Sequence, residues 1–207
     1  MNYVETSASL VTHAQNPEGL RGFEHPSCPA AIWYRKFTPE FQQWIDAQSP
    51  AHLPQGRVVL PRNSVAQTVE KLCEILQTPP SAERNMLIND IVALSEIFAD
   101  LMGAEYLRVR LDKVTTNACR KFHIDALTAR LVCTYRGMGT QFGTAPAGHE
   151  PSQITTVPTG SPILLRGTLW PTEPPANFLH RSPPIEGTGE TRLVLVIDPV
   201  SDPEGET

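Results

Sequence analysis

Tyr106-Leu-Arg-Val-Arg-Leu111 is the stretch at which the hydrophobic pattern of this 207-residue chain changes. From here on, apolar and polar residues alternate with a period of two, which is typical of β-strands. Similar short stretches follow between glycine and proline turn signals, at residues 121–125, 128–135, 154–157, 161–165, 177–180 and 192–197. Seven or eight short strands of this kind predict an antiparallel jelly roll.

Before this change the apolar residues recur at helical spacing. Three helices are predicted: one opened by Thr38-Pro39-Glu40, one that begins near Asn63 or Ser64, and one from Ser81 to Gly103. A short strand is expected from Ile32. Residues 1–30 show no periodicity and predict a loosely packed arm.

The sequence therefore predicts an α+β protein whose helical N-terminal half packs on a C-terminal double-stranded β-helix, jelly-roll or cupin-like in form. The N-terminal arm and helical scaffold would occupy residues 1–103, and the β-helix core with its metal site residues 104–200. An acidic tail would follow over residues 201–207. We expect these parts to form one integrated domain.

The pair His123 and Asp125 is the first candidate for chemistry. On a strand, residues i and i+2 point to the same side and can bind one ion together. His180 ends a short apolar run before two prolines and could supply a third ligand. Two histidines and one carboxylate make the facial triad that binds Fe(II) with open coordination positions. The alternative is a solvated surface pair.

Arg192 opens the last strand and shares a face with Val194 and Val196. Because its neighbours on that face are apolar, we expect the guanidinium to point inward, where it needs an anion. The alternative is a surface ion pair with Glu190 or Asp198.

Two further positions are candidates at the same site. Arg130 and Thr134 share one face of their strand and could contact a bound organic acid, although Arg130 could equally form a structural ion pair. Cys119 is a possible extra ligand, which would favour zinc. On a strand it would lie roughly 13 Å from His123, so this needs a turn near Asn117, and a small buried thiol is the alternative.

Three segments resemble an uncharacterised bacterial domain family that has no assigned reaction. They are Cys119-Arg-Lys-Phe-His-Ile-Asp125, Arg130-Leu-Val-Cys-Thr-Tyr-Arg-Gly-Met-Gly-Thr140 and His180-Arg-Ser-Pro-Pro184. This resemblance covers most of the chain.

The order His-x-Asp, His, Arg also resembles the Fe(II)/2-oxoglutarate-dependent dioxygenases, over roughly the C-terminal half. That resemblance implies iron bound by His123, Asp125 and His180, and 2-oxoglutarate held at its distal carboxylate by Arg192. The implied activity is oxidation of a primary substrate that the sequence does not name.

Two other functions fit parts of the same pattern. A non-enzymatic zinc- or iron-binding jelly-roll protein of metal homeostasis would have a closed site and no need for Arg192. A cupin-like structural or sensory module would bind no metal, and replacing His180 would not affect it.

Composition narrows the possible partners. A net charge of −5 without a basic stripe argues against a protein that binds nucleic acid along its phosphate backbone, and it leaves a small metabolite, a side chain of another protein or tRNA open as the substrate. No apolar run reaches the eighteen residues of a membrane span, and the first residues lack a secretory pattern, so we expect a cytoplasmic protein whose four cysteines are reduced. Phosphate loops, nucleophile elbows and HExxH motifs are absent from the sequence.

Overall fold

Two β-sheets and three α-helices make up the computed structural model, which describes residues 11–146, 148–171 and 177–205. The strands are β1 (Thr12–Ala14), β2 (Ala30–Trp33), β3 (Gly56–Pro61), β4 (Tyr106–Val114), β5 (Ala129–Arg136), β6 (Gln141–Thr144), β7 (Thr155–Thr156), β8 (Pro162–Arg166), β9 (Phe178–Arg181) and β10 (Arg192–Val200). The large sheet has the order β1-β2-β8-β5-β10-β4-β3, and the small sheet the order β7-β6-β9. The pairing of β1 with β2 is parallel and the other pairings are antiparallel.

The helices cover one face of the large sheet. They are α1 (Pro39–Ala47), α2 (Val65–Ile75) and α3 (Ala82–Met102). As the sequence predicts, Thr38 and Ser81 cap the first and third helices, and Gly103 ends α3 with a φ of 59°. Within the described residues, no helix has the length and apolar character required to cross a membrane.

The strand alternation divides the interior into two cores. Leu131, Cys133 and Tyr135 of β5 point toward the helices. Val132 points to the opposite side, where it joins Phe142 of the small sheet in a second core. The inner face of the large sheet is therefore the face that looks toward the small sheet, and it carries the even-numbered residues of β5 and β10.

The N-terminal half differs from the predicted helical scaffold. Its three helices are present, but β1, β2 and β3 from the same half extend both edges of the large sheet. The described part of the expected loose arm is packed against the rest of the protein, because its own residues Leu20 and Phe23 are completely or almost completely buried. The N-terminal half therefore mixes helices and strands, whereas the regular elements described after residue 103 are all strands; residues 1–10 of the arm lie outside the described residues.

A charged cluster fastens α3 to the large sheet. Arg35, just after β2, makes a bidentate ion pair with Asp90 of α3 at 2.5 and 2.7 Å. The buried Tyr135 hydroxyl donates to the same carboxylate at 2.7 Å. Burial raises the pKa of Tyr135 well above its usual value, so the phenol stays neutral and remains a donor.

Asp90→Asn should lower the free energy of unfolding by about 3 kcal/mol, because it leaves the largely buried Arg35 without its counter-charge. Chemical denaturation measures this. Asp46→Asn, at an exposed position of α1, is the matched control and should change stability by less than about 0.5 kcal/mol. Equal effects of the two substitutions would contradict the structural role of the cluster.

Candidate metal centre

Two histidines face each other across a single antiparallel bridge. The backbone N–H of His123 donates to the carbonyl of His180, and the backbone N–H of His180 donates to the carbonyl of His123, both at 3.0 Å. This pairing sets the two imidazole rings side by side, with centroids 4.5 Å apart. The predicted strand over residues 121–125 is therefore reduced to one bridging residue in the loop between β4 and β5.

Asp125 completes a cluster of three donors. Its Oδ1 lies 3.5 Å from Nε2 of His123, and its Oδ2 lies 3.1 Å from Nε2 of His180. The three ligand atoms all lie within 4.8 Å of one another. Ligands at about 2.1 Å from one ion and at right angles to each other lie about 3 Å apart, so the spacing fits one face of a metal coordination sphere.

The hydrogen bonds around the cluster leave donor atoms for a metal. Nδ1 of His123 donates to the carbonyl of Lys121 at 2.8 Å, so in the neutral ring Nε2 carries the free lone pair. Oδ1 of Asp125 accepts from Arg130 at 2.6 Å, whereas the buried Oδ2 accepts no hydrogen bond from any described residue. A buried carboxylate oxygen without a donor is a costly arrangement that a cation would relieve.

Burial and mutual contacts shift the pKa values of the three side chains. Burial lowers the pKa of His180, so this ring stays neutral and able to bind a metal. Burial by itself would raise the pKa of Asp125, but the two histidines and Arg130 outweigh it and hold that pKa well below its usual range. The hydrogen bond with Asp125 raises the pKa of the half-buried His123. At neutral pH Asp125 is therefore a carboxylate.

The loop that carries Asp125 is held from behind by the segment after β8. The backbone N–H of Thr168 donates to the carbonyl of Asp125 at 2.8 Å, and that of Leu169 donates to the carbonyl of Leu127 at 3.0 Å. At Gly167 an added Cβ would lie only 1.9 Å from the carbonyl oxygen of Leu127. Glycine is therefore required for this close approach, which fixes the third ligand without a strand.

Arg130 holds the carboxylate from the side. Its Nη1 donates to Asp125, and its Nε and Nη2 donate to Asp198 of β10 at 2.6 and 2.8 Å. The structure thus shows Arg130 in a structural ion pair, which the sequence left open as the equal alternative to a contact with an organic acid. With all three nitrogens engaged by carboxylates, Arg130 orients the Asp125 side chain, a candidate metal ligand.

Arg192 is buried without a carboxylate partner. Only 1% of the residue is exposed, and its guanidinium donates to Met138 O and Ser182 Oγ at 2.6 Å and to Thr134 Oγ1 at 3.5 Å. These acceptors are neutral, and Arg192 forms no ion pair with any residue that the structure describes. Burial lowers the pKa of Arg192 to about 10, only partly offset by Glu190, so it remains a cation at neutral pH.

One cavity of about 280 Å³ connects the two features. Its lining includes both histidines of the cluster, Arg192, and the apolar side chains of Val132, Val194 and Val196. The inward direction predicted for Arg192 and Thr134 is thus what the structure shows.

Cys119 lies outside the three-donor cluster, although it lines the same cavity. Its thiol is exposed, and its backbone carbonyl accepts from Ser182 at 2.9 Å. The structure therefore does not bring Cys119 into the cluster as a fourth donor.

The sequence interpretation missed the part played by Ser182. This residue follows His180 by two positions at the end of β9, so the two side chains point to the same side. Strand alternation applied one step further along the chain would have identified it as a neighbour of the site.

Comparisons with known proteins identify the family and the fold of the chain. The sequence matches the family described as protein of unknown function (DUF1826) over residues 14–198. The chain belongs to this family. A search of curated proteins by sequence found no significant match.

The DUF1826 chain shares its fold with two solved plant enzymes. One is the dioxygenase for auxin oxidation 1 from Arabidopsis thaliana, solved as a complex with 2-oxoglutarate, at a TM-score of 0.55 and 10% identity over 93% of this chain and 92% of that chain. The other is the dioxygenase for auxin oxidation from rice, at a TM-score of 0.52 and 14% identity over 94% and 83%. The protein therefore has a dioxygenase-like fold, with a cluster of His, Asp and His that suits a metal ion.

Proposed function

We propose that this protein is an Fe(II)- and 2-oxoglutarate-dependent dioxygenase that oxidises a primary substrate. The observation that carries the proposal is the buried Arg192 in the same cavity as His123 and His180. A buried guanidinium without a counter-charge is unfavourable in the free protein, and a bound carboxylate would relieve it. 2-Oxoglutarate offers one carboxylate for Arg192 and a 2-oxo acid group for the metal.

His123, Asp125 and His180 would hold the iron on one side, which leaves coordination positions open toward the cavity. Bound iron would supply a centre that activates O₂ and chelates the 2-oxo acid. Arg130 keeps the Asp125 carboxylate turned so that Oδ2 is available as a ligand. The valines of the cavity wall exclude water from the reacting groups.

The overall reaction would balance as follows. The primary substrate, O₂ and 2-oxoglutarate would give hydroxylated substrate, succinate and CO₂, with one oxygen atom going to each of the two organic products. The distal carboxylate of the co-substrate is unchanged in succinate, so Arg192 would serve binding and orientation rather than the bond changes.

The main alternative is a non-enzymatic zinc- or iron-binding protein. Such a site would be closed by a fourth protein ligand, and Cys119 does not join the cluster. It would also give no role to a buried, unpaired Arg192. Both features favour the dioxygenase.

An anaerobic titration of the metal-free protein with Fe(II) and then with 2-oxo acids tests the proposal. 2-Oxoglutarate should produce the visible charge-transfer band of a chelated complex. 2-Oxobutyrate carries the same chelating group but no distal carboxylate, so it should need roughly 100-fold higher concentration, equivalent to about 3 kcal/mol for charge-assisted hydrogen bonds.

Two results would oppose the proposal. Tight Fe(II) binding without a band from either acid would favour the metal-storage alternative. Equal midpoints for the two acids would show that the distal carboxylate meets no buried cation.

A further inference from the structure

A second arginine in the cavity has an unused guanidinium fork. Arg110 of β4 lines the cavity, and 31% of its side chain is exposed. Its Nε lies 3.0 Å from Oδ2 of Asp112, but this nitrogen makes no hydrogen bond of acceptable geometry. Its two terminal nitrogens have no partner among the described residues. They are placed to bind a carboxylate or phosphate in a bidentate manner.

A like charge stands directly beside Arg110. Arg57 of β3 is its cross-strand partner in the antiparallel register, so both side chains leave the same face of the sheet. Two cations directly opposite each other destabilise a strand pair. Arg57 is exposed and has no ion pair within the described ranges. An anion bound between the two would remove this repulsion.

This position differs from the proposed co-substrate anchor. In the register of β4 and β10, Arg192 is paired with Val114, whereas Arg110 is paired with Val196. Arg110 and Val114 are four residues apart along β4, so the positions of Arg110 and Arg192 are separated by roughly 13 Å along the strand. An anion at Arg110 is therefore a second anchor in the same cavity.

β3 and β4, which carry Arg57 and Arg110, contribute no residue to the core that the small sheet covers. The core between the two sheets contains residues of β2, β5, β8 and β10 but, among the described residues, none of β3 or β4. The inner face is accessible here, because Arg57 is exposed, 31% of the Arg110 side chain is exposed, and Arg110 lines the same cavity as the two histidines of the cluster. A cavity of about 280 Å³ with this opening suits a small molecule that reaches the metal from the β3 edge.

We propose that Arg110, with Arg57 beside it, binds an anionic group of the primary substrate, which is therefore a small organic carboxylate or phosphate ester. The assignment of this anion to a substrate rests on the dioxygenase function proposed above, whereas the anion site itself does not depend on that function. The local charge favours this class: the residues lining the cavity include four arginines and, apart from the metal cluster, one carboxylate, in a protein whose net charge is −5.

Three matched probes test the proposal: benzoate, phenyl phosphate and neutral benzamide. Each is titrated into isotopically labelled protein loaded with Zn(II) as a redox-inert stand-in, and the arginine Nε–H signals are followed by NMR. Benzoate or phenyl phosphate should shift the Arg110 signal and bind at least tenfold more tightly than benzamide. Which of the two anions binds better identifies the carboxylate or phosphate class.

Variants separate the two anion sites. Arg110→Met should weaken the preferred anion at least tenfold, and Arg57→Met should weaken it less, because Arg57 is more exposed. Arg21→Met is the matched control, because Arg21 forms an exposed ion pair with Glu24 and does not line the cavity. This substitution should leave the affinity for the anion unchanged. Equal binding of benzamide, or an anion affinity unchanged in Arg110→Met, would overturn the proposal.

Arg192→Met distinguishes failure of this inference from failure of the proposed function. Anion binding that depends on Arg192 and not on Arg110 would refute the second anchor and support the co-substrate site. Anion binding that depends on Arg110 in a protein that fails to bind 2-oxoglutarate would keep the anion site and refute the dioxygenase.

Discussion

Replacing His180 by alanine should weaken Fe(II) binding by at least about 100-fold. Loss of an outer-shell partner of a metal ligand alone costs about 10- to 100-fold in affinity, and His180 is a proposed ligand itself. His180 is 6% exposed, its Nε2 lies 3.1 Å from Oδ2 of Asp125, and its backbone is held by the bridge to His123.

Thermal unfolding with and without Fe(II), under anaerobic conditions, measures this effect. A ligand that binds only the folded state raises stability by about 2.7 kcal/mol at 100 times its dissociation constant, so the unmodified protein should show a clear shift of Tm. At the same Fe(II) concentration a 100-fold weaker His180→Ala protein should gain at most about 0.4 kcal/mol and therefore little shift of Tm. His180→Gln fills more of the space and separates loss of the ligand from loss of packing.

His13→Ala is the matched control for the metal experiment. His13 is exposed, and its ring contacts Tyr34 rather than the cluster. It should keep the full Tm shift. If His180→Ala kept the full Tm shift as well, Fe(II) would bind elsewhere in the chain, and the proposed metal site would be refuted.

The spacing in the sequence pointed to the three residues that form the cluster, but not to the way in which they meet. His123 and Asp125 were expected on one strand, and the same-side geometry holds although the strand is absent. What brings them to His180 is the register of one isolated bridge. A register is set by the whole chain between the paired residues and cannot be read from either segment alone.

Partners of buried charges were the least predictable part of the site. Arg130 and Arg192 are similar in the sequence, since each lies on an inward-facing strand position. In the structure Asp198 pairs with Arg130 and leaves Arg192 alone. Strand order decides this outcome, because β10 lies between β4 and β5 and presents its end, not its beginning, to Arg130.

In the N-terminal half, β2 lies where the sequence predicted a short strand from Ile32, but β3 was missed for a related reason. β3 is an edge strand, and it begins with Gly56 and ends with Pro61 between two helices. Glycine and proline at its ends are typical of turns, so local pattern favours a loop there. Pairing with β4 over six residues overrides that preference.

Arg192→Met should abolish the preference for 2-oxoglutarate over 2-oxobutyrate. In the unmodified protein the distal carboxylate would meet a buried cation fixed by Met138, Ser182 and Thr134, which is worth roughly 100-fold in affinity. Methionine keeps much of the length and fills the space, but it offers no charge and no donor. The same anaerobic titration, with the charge-transfer band as the readout, should give similar midpoints for the two acids.

Which of the two acids loses affinity in Arg192→Met shows whether Arg192 contacts the distal carboxylate. If Arg192 binds the distal carboxylate, its replacement weakens 2-oxoglutarate and leaves 2-oxobutyrate nearly unchanged, because only the first ligand has the group that is lost. Arg192→Lys keeps the charge without the fork and should give an intermediate preference. If Arg192→Met weakened the binding of both acids equally, Arg192 would instead support the cavity wall. If Arg192→Met still preferred 2-oxoglutarate 100-fold, another residue would bind the distal carboxylate.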